Sequence, residues 1–245
     1  MTLRASLPMY ARPELEDANS QIWAVIRDIM LDAGVDAPDA LDPDGFGYPY
    51  WEHPKLLLSQ TCGYPYRTRL RGKVALVSTP DYGVEGCPPG FYCSVLVTRA
   101  TSSRDSVKDL QNATMAYNEK DSQSGYHGPL AFAASHGISL QPDRVTGSHW
   151  ASAKAVAEGF CDVAAIDAVT WQHMRAFDDF TRGLKEVART KPVPGLPIIT
   201  GMPEHVGALR SAIAFALDQR PNAAARLGLV QLMAFDPENY RPNAF

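Results

Sequence analysis

The chain has 245 residues, 45% of them hydrophobic, and carries 27 acidic against 23 basic side chains, a net charge of −4. Such a length and composition suffice for one large domain or two lobes with buried cores. The acidic balance, with no basic stretch denser than RTRLRGK at Arg67 to Lys73, argues against a nucleic-acid partner, and no run of about 18 apolar residues is present to insert into a membrane.

In chain order, LRASLPMYA (Leu3 to Ala11) reads as a short strand. The next segment, PELEDANSQIWAVIRDIMLDAG, reads as a helix, because Ile22, Val25, Ile26, Ile29 and Met30 recur at three and four spacing and Gly34 stops it. A turn-rich aromatic stretch follows, then KLLLSQTC as a buried strand. GKVALVSTP and FYCSVLVTRA are two further strands separated by a Gly/Pro loop. After Thr101 the pattern restarts: SSRDSVKDLQN is a short capped helix, ATMAYN a strand and SGYHGPLAFAASHG a helix. WASAKAVAEGF, CDVAAID, AVTWQHMRAF and LKEVART then alternate helix and strand. A proline-rich connection, TKPVPGLPIITGMP, leads to the helix PEHVGALRSAIAFALDQ and a tail with one more short helix.

Strands alternating with helices predict an α/β fold with mainly parallel sheets. SVLVTRATS and LKEVARTKPVPG read as two crossover strands, which divides the chain into a discontinuous first lobe, 1–98 with 190–245, and a continuous second lobe, 99–189. The four cysteines lack C-x-x-C spacing. Cys87 and Cys93 flank PPGFY in a turn and are the one pair whose spacing leaves a disulfide open.

In open α/β sheets ligands sit beyond the carboxyl ends of the strands, where helix N-termini turn free N–H groups outward. The residues at those positions are Tyr10; Ser59, Gln60 and Thr61; Ser122, Gln123 and Ser124; Gly147, Ser148 and His149; and Asp167. In NEKDSQSGYHGPL, small polar residues and Gly125 stand between a strand and a helix, an arrangement suited to an anion without any formal positive charge. A plain helix cap is the alternative. GSHW repeats the junction before the next helix. Asp167 serves either as a helix cap or as a ligand group, and in the second role it requires a ligand that brings a proton or an amine. Tyr48, Tyr50, Trp51, Tyr64 and Tyr66 either wall a cleft or cover the core. No dinucleotide fingerprint, nucleophile elbow, phosphate-binding P-loop or H-E-x-x-H is present, and the six histidines are scattered, so neither a metal nor a cofactor is expected.

NEKDSQSGYHGPL, GSHWASAKAVAEGFCDVAAIDAVTW and PVPGLPIIT together resemble the phosphate/phosphite/phosphonate-binding proteins of ABC importers, over about Leu56 to Ile199. The resemblance implies a two-lobed type 2 periplasmic-binding-protein fold with two crossover hinge strands. It also implies a small oxyanion held in the interlobe cleft by Ser122, Gln123, Ser124, His149 and Asp167, with Gln60, Thr61 and Tyr10 as the first lobe's matches. Hinge closure without chemistry follows, with an importer permease as partner and a periplasmic location. SQTCGYPY departs from the better-known phosphonate binders, which leaves the ligand's identity open. The N-terminal stretch has no apolar run of leader length, which points instead to the cytoplasm. That favours a second reading, a cytosolic enzyme resembling the thiamine-pyrimidine or menaquinone-pathway proteins of the same fold. In that reading His149 with Asp167 is the one candidate acid–base pair. A relative that has lost its ligand is the third.

Overall fold

The computed structural model describes residues 3–241. Its elements begin with β1 (Arg4–Ala5), α1 (Glu16–Asp32), α2 (Tyr48–Trp51), β2 (Leu56–Gln60), α3 (Gly63–Pro65), β3 (Ala75–Asp81), β4 (Phe91–Tyr92) and β5 (Ser94–Arg99). There follow β6 (Thr114–Tyr117), α4 (Gly128–Ser135), β7 (Gln141–Val145), α5 (His149–Ala157), β8 (Val163–Asp167), α6 (Ala168–Phe177) and β9 (Leu184–Arg189). The chain ends with β10 (Val193–Pro194), β11 (Ile198–Thr200), α7 (Val206–Gln219), α8 (Pro221–Leu227) and β12 (Gln231–Met233).

These elements form two compact units. One takes the chain up to Phe91 and resumes at Pro194, and the other runs from Tyr92 to Val193. The first unit is built on a sheet of order β1-β2-β11-β3-β12. β1 and β2 are parallel, while β11 runs antiparallel to both β2 and β3, and β12 antiparallel to β3. The continuous apolar run of β2 is the mark of a strand covered on both faces, and all five of its residues are buried. The periodic face of α1, Ile22, Trp23, Ile26 and Met30, packs in one cluster with Leu209, Ile213 and Ala216 of α7, Leu227 of α8, and Leu57, Leu58, Val77 and Ile198 of the sheet. Burying each such aliphatic side chain contributes about 1.5–3 kcal/mol before conformational entropy is counted. Tyr50, Trp51 and Tyr66 are core residues of a second cluster with Leu56, Leu70 and Ile199, so these three aromatics belong to the core.

The second unit has a sheet of order β7-β6-β8-β5-β9. β6 is parallel to both β7 and β8, and β5 returns antiparallel between β8 and β9. Leu96, Met115, Val163 and Ala165 pack with Leu110, Ala133 and Leu140 to form its core.

Both units are thus α/β, with one or two return strands running against an otherwise parallel set. The sequence reading needs three corrections. SVLVTR does not cross between the units: it is β5, paired inside the second sheet with β9 (LKEVAR), where Val95, Leu96 and Val97 are all but fully buried, whereas the expected stretch LKEVARTKPVPG does contain the returning crossing, past β9 at Val193–Pro194. The chain passes between units at Phe91–Tyr92 and Val193–Pro194, where β4 and β10 form a two-stranded sheet, so the expected boundaries at 98/99 and 189/190 move outward. IIT in the supposed proline-rich connection is β11, a central strand, and β7 and β12 are also strands that periodicity does not reveal. None of the four cysteines is in a disulfide, Cys87 and Cys93 included.

The C-terminal segment lies against the first unit's side of both crossings. Gly195 N donates to Gly90 O at 2.8 Å. Gly90 has no room for a side chain, since a Cβ there would come within 2.5 Å of Met233 Cγ. Phe235 makes an edge-to-face contact with Phe91 at 5.4 Å, and the buried Tyr240 donates to Gly195 O at 2.8 Å.

Candidate functional site

Strands β7, β6 and β8 are adjacent and parallel, and each runs into a helix, so three helix N-termini emerge at one edge of the second unit's sheet. All three carry a side-chain cap. Ser122 Oγ accepts from Gly125 N at 2.9 Å, Ser148 Oγ from Ala151 N at 3.1 Å, and Asp167 Oδ1 from Val169 N at 2.8 Å and Thr170 N at 3.1 Å. The first of these N-termini opens with a wide turn, Gln123–His127, that continues directly into α4. Ser122, Gln123, Ser124 and Asp167 are all buried.

Two of the junctions are joined by a side-chain bond. Ser124 Oγ lies 3.0 Å from Nε2 of His149, the first residue of α5. His149 is half-buried as a residue, but its Nδ1 is sealed from solvent. Burial pushes the imidazole pKa down to about 4, against the opposing influence of the neighbouring Ala165 carbonyl. The ring is therefore neutral at ordinary pH. Gly125 is required for a steric reason: a Cβ at this position would land on Asn118 Oδ1. That oxygen is buried and has no hydrogen-bond partner among the described residues. In the loop leading to Ser122, burial raises the pKa of Glu119, and the charge of Asp121 raises it further.

The first unit's candidates are engaged within their own unit. Gln60, at the end of β2, donates through Nε2 to Leu196 O at 3.2 Å and to Tyr82 Oη at 3.4 Å. Thr61 N donates to Pro197 O at 3.1 Å, and its side chain is fully buried. The ring of Tyr10 meets that of Tyr82 edge to face at 4.8 Å. Tyr10, Gln60 and Tyr82 border a cavity of about 40 Å³ whose other walls include Ile22, Leu58 and Ile198, room for little more than a water or a methyl group. Among the described residues no cluster of three or more His, Cys, Asp or Glu side chains is assembled for a metal.

The sequence profile of one family, described as the periplasmic phosphonate substrate-binding proteins of ABC transporters, matches residues 57–240. The chain belongs to this family. No curated protein matches it. Among solved structures, the phosphonate family's fold recurs in PhnD1 of Prochlorococcus marinus, solved in complex with methylphosphonate. That protein is 16% identical, with 99% of this chain and 95% of that one covered and a TM-score of 0.73. A binding-protein component of a phosphonate ABC transporter from Pseudomonas aeruginosa is 18% identical over 98% of this chain and 83% of that one, with a TM-score of 0.72. A Xanthomonas citri protein solved with bound ATP is 19% identical over 97% and 92%, also at 0.72. These likenesses establish the type 2 periplasmic-binding-protein fold.

Within this phosphonate-family chain, the structure brings Ser122, Gln123, Ser124 and His149 together and places Asp167 on the neighbouring strand end. It gives Asp167 the capping role, with one carboxylate oxygen held by two backbone N–H groups. Asn118 was missed by the sequence reading. Its position one residue past β6 was the only signal, and its fit against Gly125 emerges only in three dimensions.

Proposed function

We propose that this chain captures a small oxyanion compound of the phosphonate, phosphite or phosphate type and does no chemistry on it. The observation that carries this reading is the Ser122–Ser124 turn, in a chain of the phosphonate-binding family: two buried hydroxyls and the first-turn N–H groups of the helix running into α4, at an edge shared with two further helix N-termini. Such a site attracts an anion through backbone dipoles and hydroxyls rather than formal charge. The methylphosphonate bound by the Prochlorococcus relative indicates the ligand class. In this reading Gln60, Thr61 and Tyr10 are the first unit's contribution. Capture is completed by hinge motion at the two crossings, and delivery is to an ABC importer permease from the periplasm. The enzymatic alternative is disfavoured because its one acid–base pair is otherwise engaged, His149 Nε2 with Ser124 and Asp167 Oδ1 with the α6 cap.

Titration calorimetry with methylphosphonate, phosphite, phosphate and methanesulfonate tests the proposal. At least one phosphorus oxyanion is expected to bind well below millimolar Kd and to be recovered unchanged. The double variant Ser122→Ala/Ser124→Ala is expected to lose that binding. Millimolar or weaker binding of every compound, or recovery of a converted product, overturns it.

A further inference from the structure

Resting on that oxyanion-binding reading, which gives Tyr10 and Gln60 to the ligand, we infer that the ligand's carbon substituent is a short, uncharged alkyl group and that the first unit's cavity takes its terminal methyl. The cavity, of about 40 Å³, is bordered by the buried side chains of Ile22 in α1, Leu58 in β2, Ile198 in β11 and Ile213 in α7. The polar side chains on its border are Tyr10, Asn19 and Tyr82, all three partly exposed, and Gln60. Exposure marks where the cavity opens, so it has an aliphatic floor and a polar mouth.

Protein interiors are packed to crystal density, and a void against aliphatic walls forfeits dispersion contacts. Water does not restore them, because an aliphatic floor gives it no hydrogen-bonding partner, whereas an apolar group does. The mouth is held by its own contacts: Gln60 Nε2 donates to Leu196 O at 3.2 Å and to Tyr82 Oη at 3.4 Å, and the Tyr82 ring meets that of Tyr10 edge to face at 4.8 Å. A fixed rim over a floor this small selects by size, and a chain longer than the cavity overfills it. It selects by polarity as well. Among the described residues no charged side chain borders the cavity. An ammonium entering it loses hydration without gaining a counter-charge, and a hydroxyl loses its hydrogen bonds to water without replacement.

The experiment is calorimetric titration of the full chain, at one pH, with phosphite, with methyl-, ethyl-, propyl- and butylphosphonate, and with hydroxymethylphosphonate. Each carbon that enters the cavity is expected to lower the Kd about fourfold, so affinity rises from phosphite to the shortest alkyl chains and falls again at the longest. Hydroxymethylphosphonate, close in size to ethylphosphonate, is expected to bind at least about tenfold more weakly than it. Ile22→Val removes one methyl group from the floor at little cost to folding and is expected to raise the affinity for propylphosphonate about fourfold relative to methylphosphonate, whereas general damage weakens both alike. Equal affinities for phosphite, the alkyl series and hydroxymethylphosphonate overturn the alkyl preference. A chain-length profile that Ile22→Val leaves unaltered overturns the assignment of the substituent to this cavity. Failure of every phosphorus compound to bind, phosphite included, overturns the oxyanion reading itself.

Discussion

The phenol of Tyr240 donates to the carbonyl of Gly195, 2.8 Å away and 45 residues earlier in the chain, next to the returning crossing. The same oxygen lies 2.7 Å from Thr79 Oγ1, and the ring meets Tyr66 edge to face at 5.0 Å. With its own hydrogen given to Gly195, Tyr240 accepts from Thr79. Tyr240→Phe keeps the ring and strips both bonds, leaving two buried groups unsatisfied, and is expected to lower unfolding stability by about 1–3 kcal/mol in urea titration. An unaltered midpoint would show that the tail does not hold the crossing.

The same pair of tyrosines predicts an alkaline limit. Burial raises the Tyr66 pKa to about 12 and pushes that of Tyr240 higher still. Both phenols hold their protons more tightly folded than unfolded, so their contribution is complete below the unfolded value of about 10. It is lost as pH rises from there through the folded values, because the unfolded chain ionises first. Chemical denaturation from pH 8 upward is expected to show stability falling above about pH 10, with a shallower fall in Tyr66→Phe and Tyr240→Phe.

At the proposed oxyanion site, Gly125→Ala is expected to force Asn118 and its loop aside, at a cost of about 1–3 kcal/mol and with loss of methylphosphonate binding. Adding Asn118→Gly removes the obstructing side chain and is expected to restore most of the stability. A failure to recover would place the strain elsewhere, in the Ser122 cap, which a Cβ would approach at 3.1 Å.

Asp167 combines its capping duty with a place at the strand ends proposed to bind the oxyanion. Asp167→Ala exposes two orphan N–H groups at the start of α6 and is expected to cost about 1 kcal/mol, whereas Asp167→Asn retains an acceptor and costs less. If Asp167→Asn leaves stability intact but alters the ligand preference in calorimetry, the second carboxylate oxygen is the one that meets the ligand.

What the sequence made legible follows from physics. α1, α6 and α7 have apolar faces at helical spacing, and β2 and β8 are fully buried runs; both patterns survive folding unchanged. β11 is only three residues long and follows three prolines and a glycine, so although Ile198, Ile199 and Thr200 are β-branched, the run is too short to stand out as a strand until its pairing with β2 and β3 is seen. The strand–helix junctions at Ser122, His149 and Asp167 were readable because caps and strand ends leave local marks. The bond between Ser124 and His149 was not, since it depends on β6 and β7 lying side by side. The first crossing was displaced because β5 is as apolar and as long as a connecting strand would be, and only its pairing with β8 and β9 reveals which sheet owns it.

One consequence concerns the outer strand β7, every residue of which is exposed. An unpaired sheet edge invites strands from other molecules, and crowding of identical chains makes that encounter frequent. Here Pro142 offers no backbone hydrogen, and Asp143 and Arg144 place opposite charges side by side along the rim. The protein thereby carries its own guard against aggregation at its most open margin, and replacing these residues with Val or Ile would convert that margin into a seed for fibre growth.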